Sequence, residues 1–316
     1  MPAHQMNPAL DQYTVGWICA LPEEYKAGVR MLDVVFPGLD VRQLGDNNTY
    51  TFGRVGAHHV VIGSLPLGRY GTNSAAVVAR DMARTFPNVR YSLLVGIGGG
   101  APTRERDIRL GDVVVSVPQP TFGGVVQYDL GIDQGGGQFR RTGYLSPPPV
   151  LFLGAIPELR RRQNDPRKPD RIAEHIQRMK DVPAFRRPQH DQLYRSDYHH
   201  QGGTTCRSCS PGACVQRPQQ FNTREIATHY GTIASGNTLV KDPAMRDRYA
   251  HDPELNVLCF EMEAAGLMNN IPCLVIRGIC DYCDSHKNDE WHNYAALTAS
   301  AYARELLLII RPERSF

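Results

Sequence analysis

The sequence lacks long apolar runs and a secretory start. None of its apolar stretches approaches the roughly 20 residues that a helix needs to span a bilayer, so we expect no membrane partner. The first residues, MPAHQMNPALDQ, have neither the basic beginning nor the apolar core of a signal peptide. We therefore expect the 8 cysteines to be reduced thiols in the cytosol or the nucleus.

The sequence also lacks an excess of charge of either sign. Its 35 basic and 32 acidic residues leave a formal net charge of +3, which is too small to favour nucleic acid as a partner. The apolar content of 41% and the aromatic content of 8% are ordinary for a globular protein. A chain of 316 residues is long enough to bury a large core.

Apolar runs alternate with helical patterns along most of the chain. The helix that follows the first strand has Pro22 in its first turn, where a missing N–H has no cost. Strands separated by helices indicate an α/β fold with a mostly parallel central sheet and helices on both faces. We predict a single domain over residues 13–310. Its predicted strands are 14–20, 50–55, 59–64, 91–95, 113–117, 229–234 and 273–279, and further helices are predicted at 72–86, 260–270 and 291–310.

Residues 160–220 do not fit this pattern. The stretch from Arg160 to Arg187 is strongly basic, and Pro166, Pro169 and Pro183 interrupt any helix in it. Such a segment is expected to bury too little apolar surface to order itself, so we predict a partly disordered insertion. A solvated loop and a phosphate-binding surface are both compatible with its charge.

Three cysteines near the end of this insertion have part of a zinc-binding pattern. Cys206, Cys209 and Cys214 follow His199 and His200 closely. Three thiols are one ligand short of a structural zinc site unless a histidine completes the set. We assign no metal ligand and no cofactor from the sequence, and zinc binding stays open as an alternative.

A glycine-rich segment, VGIGGGAP at 95–102, ends the apolar run from Tyr91 to Val95, and we predict that its glycines form a turn. Gly98 and Gly99 have no Cβ, so their backbone N–H groups can approach a ligand closely. A second apolar run begins at Val113, which suggests a pocket at the ends of neighbouring strands. The segment alone is weak evidence, because glycine turns close many loops that bind nothing.

Four separated motifs carry a family resemblance. They are CALPEEYKA at 19–27, VGIGGGAP at 95–102, FEMEAAG at 260–266 and VIRGICDY at 275–282. In this order the chain resembles the nucleoside phosphorylase superfamily, which includes purine nucleoside phosphorylases and methylthioadenosine/adenosylhomocysteine nucleosidases. The residues of these motifs are similar to those of a fungal branch of the superfamily, whose members are often fused to NACHT or repeat domains. The resemblance, which excludes the insertion, implies cleavage of a purine nucleoside by a homo-oligomer.

The resemblance assigns roles to several residues. Breaking the N-glycosidic bond requires an acid at the base and a carboxylate at the oxocarbenium-like ribose. Asp281 matches the general acid, and we expect burial to raise its pKa. Glu263 matches the ribose-binding carboxylate and Met262 the residue beneath the sugar; Gly98, Gly99, Asn237 and Val240 complete the expected substrate contacts. The alternatives are a capping role for Asp281 and a solvent-facing helix position for Glu263.

Glu24 decides the predicted reaction type. It matches the glutamate that activates water in the nucleosidases, whereas Leu94 and Ile97 stand where phosphorylases place phosphate-binding side chains. This favours hydrolysis to free base and ribose, with phosphorolysis as the alternative, for which Arg69 is a candidate phosphate ligand. The simpler hypothesis for Glu24 is a carboxylate that suits the helix dipole.

Three other functions are compatible with parts of the sequence. A module that senses a nucleoside without cleaving it would need no general acid, so Asp281, Glu263 and Glu24 together disfavour it. Cys280 and Cys283 form a C-x-x-C pair, but polar residues follow it rather than a helix that would lower a thiol pKa. A Rossmann dinucleotide site would require a helix directly after the glycines.

Overall fold

The computed structural model of the chain describes residues 8–38, 43–136, 138–218 and 224–312. Twelve strands are β1 Val15–Cys19, β2 Val34–Val35, β3 Tyr50–Val55, β4 His58–Ser64, β5 Tyr91–Gly100, β6 Val113–Ser116, β7 Val125–Gln127, β8 Gly131–Gly135, β9 Gln138–Arg141, β10 Thr228–Ser235, β11 Val257–Glu261 and β12 Cys273–Asp281. The described residues form seven α-helices, α1 Pro22–Arg30, α2 Thr72–Thr85, α3 Val150–Asn164, α4 Arg171–Ile176, α5 Pro243–Ala250, α6 Ala264–Leu267 and α7 His292–Ile309. Among these residues, no helix combines the length and the apolar character needed to cross a membrane.

Most strands belong to one mixed sheet. Its order is β11-β10-β6-β12-β5-β1-β4-β3-β2, and the central pairs β12–β5, β5–β1 and β1–β4 are parallel. β11 also pairs antiparallel with β5, with Phe260 opposite Gly99. This extra pairing closes β11, β10, β6, β12 and β5 into a ring. The predicted α/β class with a mostly parallel sheet is confirmed.

Helix α7 fills the space against the centre of the sheet. It is buried from Tyr294 to Leu307, as expected for an alanine- and leucine-rich helix inside a large core. Its backbone comes so close to β12 that a Cβ added at Gly278 would overlap the carbonyl of Ala295. A glycine is therefore required where strand and helix meet.

Two local predictions are wrong. The glycines after Val95 form no turn, because β5 continues extended through Gly100 and is bonded to β12 and β11. The helix predicted over 260–270 is instead the end of β11 followed by the short α6. Glu261 ends the strand and accepts the N–H groups of Glu263 and Ala264 with its carboxylate, at 3.1 and 3.0 Å. That buried cap separates strand from helix.

The expectation that residues 160–220 bury too little apolar surface is also wrong for the part that the structure describes; residues 219 and 220 lie outside it. Ile172, Met179 and Phe185 are buried in the main core. His175 on α4 is paired with Glu305 on α7 at 2.9 Å, and both side chains are buried. Scattered apolar residues between the charged ones are sufficient to fix the segment against α7.

Candidate active site

A cleft of about 550 Å³ lies beyond the carboxyl ends of β1, β5 and β12. Its volume falls in the range typical of small-molecule sites. Parallel strands end at one edge of a sheet, so their terminal side chains converge there. The cleft is lined by the predicted residues Glu24, Gly98, Gly99, Asn237, Val240, Met262, Glu263 and Asp281.

A buried arginine forms the floor of the cleft. Arg277, on β12, donates from Nη2 to Glu261 and, at 3.3 Å, to Oε2 of Glu263. Its Nη1 donates to the carbonyl of Ile97 at 3.3 Å. Sequence reasoning missed both Arg277 and Glu261. The available signal was an ionisable residue inside each of two apolar strands, since a charge in such a position needs a partner.

Glu24 lines the same cleft from the start of α1. Oε2 accepts the N–H groups of Ala20 and Leu21 at 2.7 and 2.9 Å, and Oε1 accepts that of Ile97 at 2.8 Å. A carboxylate offers about four acceptor positions, so these bonds leave capacity for one further donor. Burial raises the pKa of Glu24, while the charge of Arg277 and the three N–H groups oppose the rise.

Gly96 allows the carboxylate of Glu24 to lie this close to the backbone of β5. A Cβ there would overlap Oε1 of Glu24 and lie 2.5 Å from Nη1 of Arg277. Glu24 lies in the first turn of α1, where the simpler hypothesis placed it as a carboxylate that suits the helix dipole, and it also accepts the N–H of Leu21. The same carboxylate also bridges to β5 through Ile97 and lines the cleft, which a helix cap alone does not require.

Glu263 lies two residues after the end of β11, immediately before α6. It is buried rather than solvent-facing, and its Oε1 accepts the N–H of Gly71 at 3.3 Å. Burial raises the pKa of Glu263 to about 7 against the charge of Arg277, and the charges of Glu261 and Glu24 add to the rise. Half-buried Met262 lies beside it in the cleft wall.

Asp281 ends β12 beside Gly99. Its Oδ1 accepts the N–H of Cys283 at 2.8 Å, and its Oδ2 accepts a hydrogen bond from the Nζ of Lys287. Burial opposes the charge of Asp281, but Lys287 and these hydrogen bonds hold its pKa below the ordinary value. The expected rise of this pKa is therefore wrong. No motif indicates that Lys287, six residues later, contacts this carboxylate.

Other candidates are placed less simply. Oδ1 of Asn237 accepts both the N–H and the hydroxyl of Thr72 at 3.0 Å, so part of its amide holds the start of α2. Leu94 lies in the apolar core, and Arg69 is exposed outside the residues that line the cleft. Neither offers phosphate a ligand in this arrangement.

The C-x-x-C pair has the wrong environment for redox chemistry. Burial raises the pKa of both Cys280 and Cys283, and the charge of Asp281 adds to the rise. Reactive thiols need the opposite shift. Cys283 instead shapes the cleft: its backbone is left-handed with φ 53°, and a Cβ at Gly99 would overlap its Sγ.

Comparison with known proteins gives a consistent family. The model of the phosphorylase superfamily matches residues 14–311. A nucleotide-binding leucine-rich repeat-like protein of Hyaloscypha variabilis is 44% identical over 96% of this chain, which covers 30% of that protein. The ATP nucleosidase Cap17 of Escherichia coli is 37% identical over 26% of this chain and 17% of its own length.

A solved structure shares the fold. The 5′-methylthioadenosine/S-adenosylhomocysteine nucleosidase of Helicobacter pylori has a TM-score of 0.59 and 16% identity, with 94% of this chain and 98% of that chain covered. The chain thus spans less than a third of the two sequence relatives but nearly all of this structural neighbour.

Proposed function

Because the chain belongs to the phosphorylase superfamily, we propose that it hydrolyses the N-glycosidic bond of a purine nucleoside to free base and ribose. The proposal assigns Asp281 to the base, Glu263 to the ribose hydroxyls and Glu24 to the attacking water. All three carboxylates border one cleft. A related protein that is named as a nucleosidase supports the hydrolytic reaction.

The observation that carries the choice of hydrolysis is the charge around Arg277. This guanidinium faces Glu261, Glu263 and Glu24, whose negative charges all act on it. A phosphate dianion needs positive charge and hydrogen-bond donors that are not already engaged. The hydrogen bonds of Arg277 already go to carboxylates and a carbonyl. Water requires only a base and a dry pocket, which Glu24 and the buried floor of the cleft provide.

The roles follow from the contacts of each side chain. Glu24 has one acceptor position left after its three backbone bonds, and a water held there would be polarised for attack on the anomeric carbon. Glu263 accepts ribose hydroxyls when it is ionised. As the purine leaves, negative charge grows on its ring, and protonation at N7 by Asp281 would neutralise it.

Asp281 must therefore take up a proton from water once substrate is bound. In the free enzyme Lys287 keeps it ionised. A purine that enters between them would separate the ammonium from the carboxylate and remove the charge that lowers the pKa. We infer that this separation prepares Asp281 as an acid.

The experiment that tests hydrolysis identifies the sugar product. Adenosine, inosine, guanosine and methylthioadenosine are incubated with the protein with and without inorganic phosphate, and products are separated by chromatography. Free ribose, or the corresponding 5-thio sugar, formed at equal rates in both conditions is expected. Ribose 1-phosphate formed only with phosphate would establish phosphorolysis, and binding without any product would establish a sensing module.

A 5′-phosphorylated purine is a second candidate substrate. Lys241 lines the cleft next to Val240, and no described residue pairs with its ammonium. An ammonium group in the cleft wall can bind the phosphate chain of such a substrate. One relative is named as an ATP nucleosidase. Adding ATP to the substrate panel, with Lys241→Met beside the native chain, decides the point. A selective loss of ATP cleavage in the variant is expected if the chain uses ATP.

A further inference from the structure

A small cluster in the insertion lies apart from the proposed catalytic residues. Tyr194 and Tyr198 stack with His286, at ring-centroid distances of 3.9 and 5.7 Å from it. Tyr194, Cys209 and Ala213 are buried together, with Cys206 and Cys214 packed against them. This cluster covers the loop that follows Asp281.

Three potential metal ligands converge within the cluster. One ligand atom from each of His200, Cys206 and Cys209 lies within 4.8 Å of the other two. A single 3-10 turn joins the cysteines, and the N–H of Cys209 donates to the carbonyl of Cys206 at 3.0 Å. The chain between His200 and Cys206 reverses at Gly202 and Gly203, which are both left-handed with φ 91° and 84°. Local backbone geometry thus brings the three side chains together.

We propose that His200, Cys206 and Cys209 bind a zinc ion. Thiolate and imidazole ligands select zinc, and two cysteines separated by two residues are a common half of a structural zinc site. In a tetrahedral site with Zn–S of about 2.3 Å and Zn–N of about 2.0 Å, the ligand atoms are closer to one another than the 4.8 Å within which these three lie. Small side-chain rotations would close the difference.

The histidine beside this group, His286, stacks on Tyr194. The rings of His200 and His286 meet edge to face at 5.6 Å. Nε2 of His286 is buried and has no hydrogen-bond partner among the described residues. An unpartnered buried nitrogen is costly, and a metal ion beside it would supply the missing interaction.

The proposed site fastens the insertion to the loop that follows Asp281. His200 donates its N–H to Ser285 Oγ at 3.0 Å, and Cys206 Sγ lies 3.7 Å from the carbonyl of His286 and 3.8 Å from Nδ2 of Asn288. Lys287, which lies between His286 and Asn288 in the chain, contacts Asp281. Zinc would therefore act structurally, by fixing the loop that carries Lys287.

The test measures metal directly and does not depend on the proposed nucleosidase activity. The full chain is purified under reducing conditions without added chelator, and its zinc content is measured by mass spectrometry. About one zinc ion per chain is expected for one such site. Cys206→Ser, Cys209→Ser and His200→Ala should each lose it, whereas Cys214→Ser, a neighbouring thiol outside the ligand group, should keep it.

Cobalt substitution keeps the proposal testable if a variant does not fold. The native chain loaded with cobalt(II) should show thiolate-to-metal charge-transfer bands and the strong visible absorption of tetrahedral coordination. A chain without zinc or cobalt bands, a disulfide between Cys206 and Cys209 in the reduced preparation, or zinc retained by Cys206→Ser would each overturn the assignment.

Discussion

The ammonium of Lys287 donates a hydrogen bond to Oδ2 of Asp281, the carboxylate at the end of β12. Both side chains are largely buried, so the contact is poorly screened by solvent. Its effect is to keep the proposed general acid ionised when no substrate is present. The pH dependence of the reaction should therefore report on a lysine that does not itself titrate near neutrality.

Replacing Lys287 by methionine should shift the pH profile. Loss of the nearby positive charge raises the pKa of Asp281, by about 1–3 units for a close pair. A larger fraction of the free enzyme then has Asp281 protonated at a given pH, so the apparent pKa that Asp281 contributes to the kcat/KM profile should move upward. Lys287→Arg retains the charge and should keep the native profile. A profile that does not move in Lys287→Met would contradict the role of this contact.

Asp281→Asn should lower turnover of a purine nucleoside by roughly 10²–10⁴-fold, the usual contribution of a general acid. The amide preserves the shape of the side chain but cannot supply the proton. Glu290→Gln, an exposed carboxyl change in the same loop, serves as the control and should retain activity. Near-native turnover of Asp281→Asn, with unchanged thermal stability, would remove Asp281 from the mechanism.

Two adjacent carboxylates on α1 provide a matched pair for the proposed base. Glu24→Gln should reduce hydrolysis by about 10²–10⁴-fold, because an amide cannot take a proton from water. Glu23→Gln should have a small effect, since Glu23 lies outside the cleft lining and faces His292 at 3.4 Å. Single-turnover rates of both variants check this. Equal rates for the two would mean that Glu24 only caps the helix.

The raised pKa of Glu263 predicts an acid limb near neutrality. Below a pKa of about 7 the side chain is protonated and loses its ability to accept both ribose hydroxyls, so kcat/KM should rise as the pH increases through this region. A 2′,3′-dideoxy substrate, which lacks those hydroxyls, should be cleaved slowly and without this limb. Persistence of the same limb with that substrate would assign it to another group.

The insertion should contribute measurably to stability. Ile172→Ala removes a side chain that is 2% exposed in the main core and should lower the free energy of unfolding by about 2–5 kcal/mol. Ile132→Ala, at a position that is 46% exposed, should change it little. Urea denaturation measures both. Indistinguishable midpoints would mean that the insertion does not pack as described.

The regular elements were accessible from the sequence because their patterns are local. The hairpin β3–β4 turns at Gly56, which is left-handed with φ 57°, and α2 shows its apolar spacing directly in the residues from Thr72. The insertion was misjudged for a related reason. Its composition is dominated by exposed arginines, while a few apolar residues, such as Ile172 and Phe185, decide where it packs.

The candidate site was also predictable only where the signal is local in the sequence. Motifs identified Asp281, Glu263 and Glu24 as candidates, and the structure brings them to one cleft. What the sequence could not supply were contacts between residues distant along the chain, such as Arg277 with Glu261. The pKa of Asp281 was misjudged because its direction depends on a lysine whose position is set by the path of a loop.

The pairing of β11 with β5 restricts how a ligand can reach the cleft. The glycine strand and the strand that leads to Glu261 are bonded to each other through Phe260 and Gly99, so these two walls cannot swing apart as hinged lobes without losing backbone hydrogen bonds. Two large side chains of the cleft lining, Tyr70 and Leu239, are 59% and 50% exposed, so the cleft is open to solvent beside them. Rotation of such side chains takes picoseconds to nanoseconds, so admission should be fast and governed by the width of the opening.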